Sequence, residues 1–394
     1  MEAAGRQLQG VADTPARSVT HPVRGPIDTA ISGGVHDSFH CPLFRAHSGS
    51  PDPPGEPSGG RDMHLLGQAF GQFDFGQPLV FANLTMIPLL YRGQREATYL
   101  TLEEALATGR FRVTEVSDFG HVPELRVRND LDVAVLLLDG EELVGAKQNR
   151  IVNLTILVPA RADLTIPVSC VEAGRWHHVS EALAGSSRAH FAEGRARKAR
   201  QVSHSLAMDQ GAHADQGDVW DRISHRVALS GAHAPTAAMA DVFEARHQDV
   251  EDYVRALAAV EGQAGAAFAI GGRLAGLEWF DAPAALHKLL PKIVSSYALD
   301  AAFLPPRRAA APVPPVGPDA VRDWVDRLNV HSPREHDTVG LGVALRWDAP
   351  GMTAAGLRLD ARLIHFVGFP VEDQVRPRGR MQSASERRRR RWTE

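Results

Sequence analysis

The chain has 394 residues, 44% apolar and 23% charged, a globular composition that favours neither an enzyme nor a binding module. Its net charge of −4 is an average: residues 374–394 carry eight Arg against Glu386 and Glu394, a tail at +6 on a body at −10. The acidic body excludes a nucleic-acid-binding domain by charge alone, and leaves only weak attachment to nucleic acid or acidic partners through the Arg-rich tail.

Two cysteines, Cys41 and Cys170, cannot build a disulfide framework, so a reducing, cytoplasmic setting is expected. The N-terminus has no apolar core for a signal peptide, and no stretch reaches the roughly eighteen consecutive apolar residues of a membrane span. Only four lysines are present, Lys147, Lys198, Lys288 and Lys292, so each is informative in a chain that otherwise uses Arg.

Residues 1–62, rich in Pro, Gly, Ser, His and Asp, read as a disordered leader, because too few aliphatic residues are present to offset the entropy of ordering it. Met63 precedes the first patterned stretch. A strand is expected over 79–90. Thr101 and Glu104 predict a capping box at a short helix over 100–108. Strands follow at 112–116, 124–128 and 133–138, and the last, apolar throughout, is the expected central strand. Residues 151–158 and 164–171 read as a hairpin.

From 181 to 262 the pattern turns helical. Residues 194–217 predict an exposed helix followed by a loop, 219–229 a helix, and 234–260 one helix with Met239, Val242, Phe243, Val250, Tyr253, Val254 and Leu257 on one side. Gly271-Gly272 predicts a hairpin turn. A helix is expected over 283–301, kinked or broken after Leu290 by Pro291. A Pro-rich connector (305–318), a helix (319–329) and strands at 339–347 and 356–369 complete the domain, and 371–394 form the tail. The order predicts one compact α+β domain over 63–370: strand-rich over 79–180, with a helical insertion over 181–262 and a mixed part over 263–370, around a mainly antiparallel sheet.

The densest run of functional side chains is DGEELVGAKQNR, 139–150; a second is EAGRWHH, 172–178. Period-two alternation gives both strands of the expected hairpin an apolar even-numbered face. Matching those faces places Arg150 opposite Cys170 or Glu172, and Gln148 opposite Glu172 or Gly174, so the runs converge at one end of a sheet.

Glu141, Lys147, Gln148, Asn149, Arg150, Glu172, Arg175 and Trp176 are then the candidate site. Lys147 and Arg150 would neutralise a phosphate, Gln148 and Asn149 orient polar groups, Arg175 add a cation, Trp176 stack, and Glu141 or Glu172 act as acid or base. The structural alternative is an Arg150–Glu172 ion pair sealing the core's edge. Cys170 continues the apolar face and reads as core rather than as a nucleophile, and His365 reads as a satisfied core histidine. No metal site is expected from adjacent His177 and His178, which point opposite ways on a strand without HxH, HxxxH or CxxC. Gly140-x4-Gly145 is no P-loop: Ala146 precedes Lys147, and Gln148 stands where a magnesium-binding Ser or Thr belongs. No cofactor is indicated.

These residues, LLLDGEELVGAKQNRIVNLTILVPA with TIPVSCVEAGRW, LEWFDAP and KIVSSYALDA, resemble the bacterial ARPP-1 domain family, named for association with ARG and rhodanese-phosphatase-superfamily proteins, over roughly 70–369. The resemblance implies ADP-ribosylglycohydrolase-like or phosphatase-like protein partners and a role beside ADP-ribose or phosphoester metabolism. Two functions follow as expectations: a binding or catalytic pocket for an anionic, nucleotide-like ligand, or a non-catalytic interaction protein using 218–260 and the tail.

Overall fold

The computed structural model describes residues 65–117, 120, 122–304 and 316–371. The expected leader, most of the Pro-rich connector and nearly all of the Arg-rich tail lie outside the described residues. Helix α1 (Leu65–Phe70) leads into β1 (Phe73–Phe75), β2 (Leu79–Phe81) and β3 (Leu84–Tyr91). The strand expected over 79–90 is thus two, folded back where Ala82 takes φ +49°. β4 (Tyr99–Thr101) runs into α2 (Leu102–Ala107), with the expected box: the Glu104 carboxylate accepts from the Thr101 N–H (2.9 Å) and hydroxyl (3.0 Å).

Strands β5 (Phe111–Thr114), β6 (Glu124–Asn129), β7 (Ala134–Leu137), β8 (Glu141–Gly145), β9 (Arg150–Val152), β10 (Ile156–Val158), β11 (Asp163–Cys170) and β12 (Ala182–Ala189) follow. The helical insertion is shorter than expected, since β12 occupies its first part. It comprises α3 (Ala192–Ala207), α4 (Gln216–Ser230), α5 (Met239–Ala245) and α6 (His247–Ala256). The helix expected over 234–260 breaks at Arg246, although Met239, Val242, Phe243, Val250, Tyr253 and Leu257 are all buried as one apolar side.

β13 (Gln263–Ile270) and β14 (Arg273–Phe280) form the expected hairpin, with φ +58° at Gly271 and +78° at Gly272, the conformation that Gly allows without a Cβ clash. Helix α7 (Pro283–Phe303) runs through Pro291 without the expected break. It is buried on several sides, through Leu286, Leu289, Leu290, Ile293, Val294 and Tyr297, and this packing outweighs the missing N–H. Helix α8 (Pro318–Asn329) precedes β15 (Arg334–Asp337), β16 (Val343–Ala349), β17 (Met352–Leu359) and β18 (Arg362–Pro370). The strand expected over 356–369 is therefore the end of β17 and most of β18, paired through a turn in which Asp360 has φ +53°.

The architecture is α+β and antiparallel apart from one strand pair. Nine strands form the large sheet in the order β1-β3-β13-β14-β18-β17-β16-β15, with β2 also on β3. Six close into a barrel, β11-β6-β5-β12-β8-β9. The apolar run at β7 is central, between β10 and its parallel neighbour β4, in a three-stranded sheet. One apolar cluster fills the barrel, another lies between the large sheet and α8, and a third gathers α7 and the inserted helices on the sheet's other face. Alternation sorts β14 accordingly: Leu277 and Trp279 join the α8 cluster, while Phe280 joins the α7 cluster. Among the described residues no helix is long and apolar enough to cross a membrane.

The hairpin expected from 151–158 and 164–171 is only half formed. β9 pairs with the end of β11, Arg150 opposite Cys170 and Val152 opposite Val168, as the even faces require. The chain then leaves the barrel and β10 joins β7, while the first half of β11 pairs with β6. The break has a cause in β11: the Asn153 N–H still donates to the Pro167 carbonyl (3.1 Å), but Pro167 has no N–H to return, and the Asn153 carbonyl accepts instead from the Lys198 ammonium of α3 (2.9 Å).

Candidate functional site

Residues 145–150 leave β8 in a bend that only particular residues allow. Gly145 has φ +126°, and a Cβ there would stand 2.5 Å from Ser180 Oγ; Ala146 follows at φ +42°. The Ala146 N–H is satisfied by Ser180 Oγ (2.9 Å) and the Gly145 N–H by Asn149 Oδ1 (3.1 Å). The bend delivers Lys147, Gln148, Asn149 and Arg150 to the end of β11, where the second polar run begins, so the two runs meet rather than face apart.

Arg175 fastens this junction. It donates from Nε and Nη2 to both oxygens of Glu172 (2.9 and 2.6 Å), from Nη1 to Ala146 O (2.7 Å), and from Nη2 to Asn149 Oδ1 (3.1 Å). Glu172 also accepts from the Asn149 N–H (3.1 Å) and the Thr236 hydroxyl (2.9 Å), and its backbone carbonyl takes Gln148 Nε2 (2.8 Å). Burial pushes the Glu172 carboxyl up, but these donors together outweigh it and hold the group below the usual carboxylate range. The partner of Glu172 is thus Arg175, and the expected Arg150–Glu172 ion pair is not formed: the turn after Glu172 brings the i,i+3 arginine back onto it.

Arg150 is left in a different position. Its side chain has no exposed area, and Nε, Nη1 and Nη2 all lack a hydrogen-bond partner. The nearest carboxylate is Glu115, with 3.8 Å between Nη2 and Oε1. Burial lowers the Arg150 pKa, against the attraction of Glu115 and Glu172. Trp176, 46% exposed, stands over both cations, with its ring centroid 5.5 Å from Lys147 Nζ and 5.7 Å from Arg150 Cζ. Glu115, which alternation did not single out, belongs to this group. Its Oε1 accepts from the Lys147 N–H (3.2 Å), and Oε2 is buried without a partner.

Glu141 lies elsewhere. It begins β8, at the far end from Gly145, and is fully buried between the Leu138 N–H (2.9 Å) and Lys292 Nζ (2.5 Å) of α7. Burial raises its pKa against the pull of Lys292. Cys170 is core: burial pushes its thiol up to about 11 despite Arg150. His365 is a satisfied core histidine, between Thr155 Oγ1 (2.9 Å) and Glu278 Oε1 (3.0 Å).

A second charged group was not expected. Helix α3, anticipated as exposed, turns Arg195 and Lys198 inward with almost no exposed area. Arg195 binds both oxygens of Glu278 on β14 (2.7 and 2.9 Å), and Lys198 pairs with Asp139. Their spacing, three residues apart on a helix, was the available signal. Clefts of 150 and 410 Å³ open elsewhere, and neither is lined by the residues around Arg150.

Residues 72–369 match the family model described as ARPP-1, the ARG and Rhodanese-Phosphatase-superfamily-associated Protein domain. No curated protein and no solved structure matches the chain.

Proposed function

The chain belongs to the ARPP-1 domain family, and from that premise we propose that the group beneath Trp176 binds an anionic, nucleotide-like ligand of the ADP-ribose or phosphoester kind. One observation carries the reading: the Arg150 guanidinium is buried with none of its nitrogens hydrogen-bonded. A buried cation in that state is costly, and an oxyanion with paired oxygens matches its fork. Lys147 adds a second cation under the same ring. Trp176 keeps an exposed face on which a base can stack, and its side chain must swing aside for the ligand to reach Arg150.

Binding is favoured over catalysis. Glu172 and Arg175 are tied to each other and to the backbone, which makes them and Asn149 positioning residues, and Glu141 faces Lys292 instead. The family name suggests that the protein acts beside ADP-ribosylglycohydrolase-like or phosphatase-like partners. The rival reading is a non-catalytic interaction protein, supported by exposed Trp176 and Val179, with His177 and His178 between them. Thermal melting with ADP-ribose, NAD and simple nucleotides separates the two. At a hundredfold excess over Kd a ligand stabilises the wild type by about 2.7 kcal/mol, and this shift should vanish in Lys147→Ala and Trp176→Ala. A panel in which no compound moves the wild-type midpoint favours the interaction reading.

A further inference from the structure

We infer that the ligand of this site carries a hydroxyl or N–H donor beside its anionic group, and that Glu115 is the residue that reads it; the inference rests on the anion-binding reading above. Glu115 Oε2 is buried without a partner, while Oε1 is held by the Lys147 N–H and faces Arg150 Nη2 at 3.8 Å. A methyl placed on Gly120 would meet Glu115 Oε2 at 3.3 Å, Lys147 Cδ at 3.1 Å and Trp176 Cζ2 at 3.3 Å. The unused oxygen, the lysine stem and the indole therefore lie together, all three packed against Gly120. Unused donors on Arg150 and an unused acceptor on Glu115 adjoin, and one ligand has to answer both.

A bare oxyanion answers only the donors. It would also sit against a carboxylate, and like charges at such a spacing in a buried site repel strongly. A phosphoester with neighbouring hydroxyls answers both: its phosphate oxygens accept from Arg150 and a hydroxyl donates to Glu115 Oε2. Sites built this way reject analogues that lack the donor, because the buried acceptor is then left unpaired. Pentose phosphates fit this class, and alkyl phosphates do not.

Calorimetric titration of the full chain with ribose 5-phosphate and with propyl phosphate tests the idea. Wild type should bind ribose 5-phosphate roughly tenfold or more tightly than propyl phosphate. Glu115→Gln should move the two in opposite directions, weakening ribose 5-phosphate and, with the negative charge gone, tightening propyl phosphate. Equal wild-type affinities, or a variant that shifts both the same way, overturn the role of Glu115 and leave an anion site standing. If neither probe binds, the anion-binding reading itself falls. Should Glu115→Gln fail to fold, the wild-type comparison still decides the question.

Discussion

Arg175 illustrates what one side chain does for this site. Its fork holds Glu172 and the bent segment around Ala146 and Asn149 at once, with little exposure to solvent. Arg175→Ala leaves the Glu172 carboxylate buried and short of donors, so a loss of about 3–5 kcal/mol is expected in urea unfolding. Arg175→Lys should restore little of it, since an ammonium cannot span the same acceptors. A loss below about 1 kcal/mol, the range of exposed pairs, would show that the clamp does not hold the bend. Alternation left Arg150 opposite Cys170 or Glu172, and Gln148 opposite Glu172 or Gly174; the structure pairs Arg150 with Cys170. Alternation could not choose between Arg150 and Arg175 as the partner of Glu172, because a turn and not a strand makes that choice. Glu115 left no local trace: the stretch EVSDFG has no feature that points to Arg150, 35 positions later.

Helix α3 shows the same limit at the scale of an element. Its sequence AEGRARKARQVSHSLA reads as a solvated face, yet Arg195 and Lys198 are buried against Glu278 and Asp139. Charge density marks a helix face without saying whether water or a carboxylate lies opposite. The Arg195–Glu278 clamp joins α3 to the large sheet, and its pH dependence is testable. Burial pushes the Glu278 carboxyl up, but Arg195 and His365 pull it from 4.5 down to about 2. The stabilisation is then fully present above about pH 4.5 and is lost as pH falls towards 2. Its size is on the order of 3 kcal/mol for a shift of this extent. Glu278→Gln should lack that component of the acid transition and should be less stable than wild type at pH 7, where Arg195 is left without its counter-charge. Urea midpoints at pH 7, 4.5 and 3 measure both effects. Parallel acid profiles for wild type and variant would remove the clamp from the account.

For the whole molecule, the family match covers 72–369. The composition of 1–62 and of the Arg-rich tail predicts that neither contributes to the core. A chain cut to 63–371 should therefore melt in one transition within about 2 °C of the full chain, a shift that corresponds to roughly 1 kcal/mol. A drop much larger than that would assign one of the ends a place in the fold. Lysine scarcity was informative at this scale as well. Lys147, Lys198 and Lys292 are all buried, and the last two hold charges at the seams between the barrel, α3 and α7.

The sequence by itself determined the α+β class, the capping box at Thr101, the Gly271-Gly272 hairpin, the apolar side spanning α5 and α6, and the sheet end where the two polar runs meet. Each follows from a period of two or 3.6 residues or from the chemistry of a turn, and these are read over a few neighbouring positions. Only the tertiary structure decided which charge answers which: Arg150 to Glu115, Glu172 to Arg175, Glu141 to Lys292, Glu278 to Arg195. It also decided that 151–158 would split between two sheets. Most of those pairings are set when distant strands close into a barrel and a helix drops against them, events that leave no periodic mark in the residues they join.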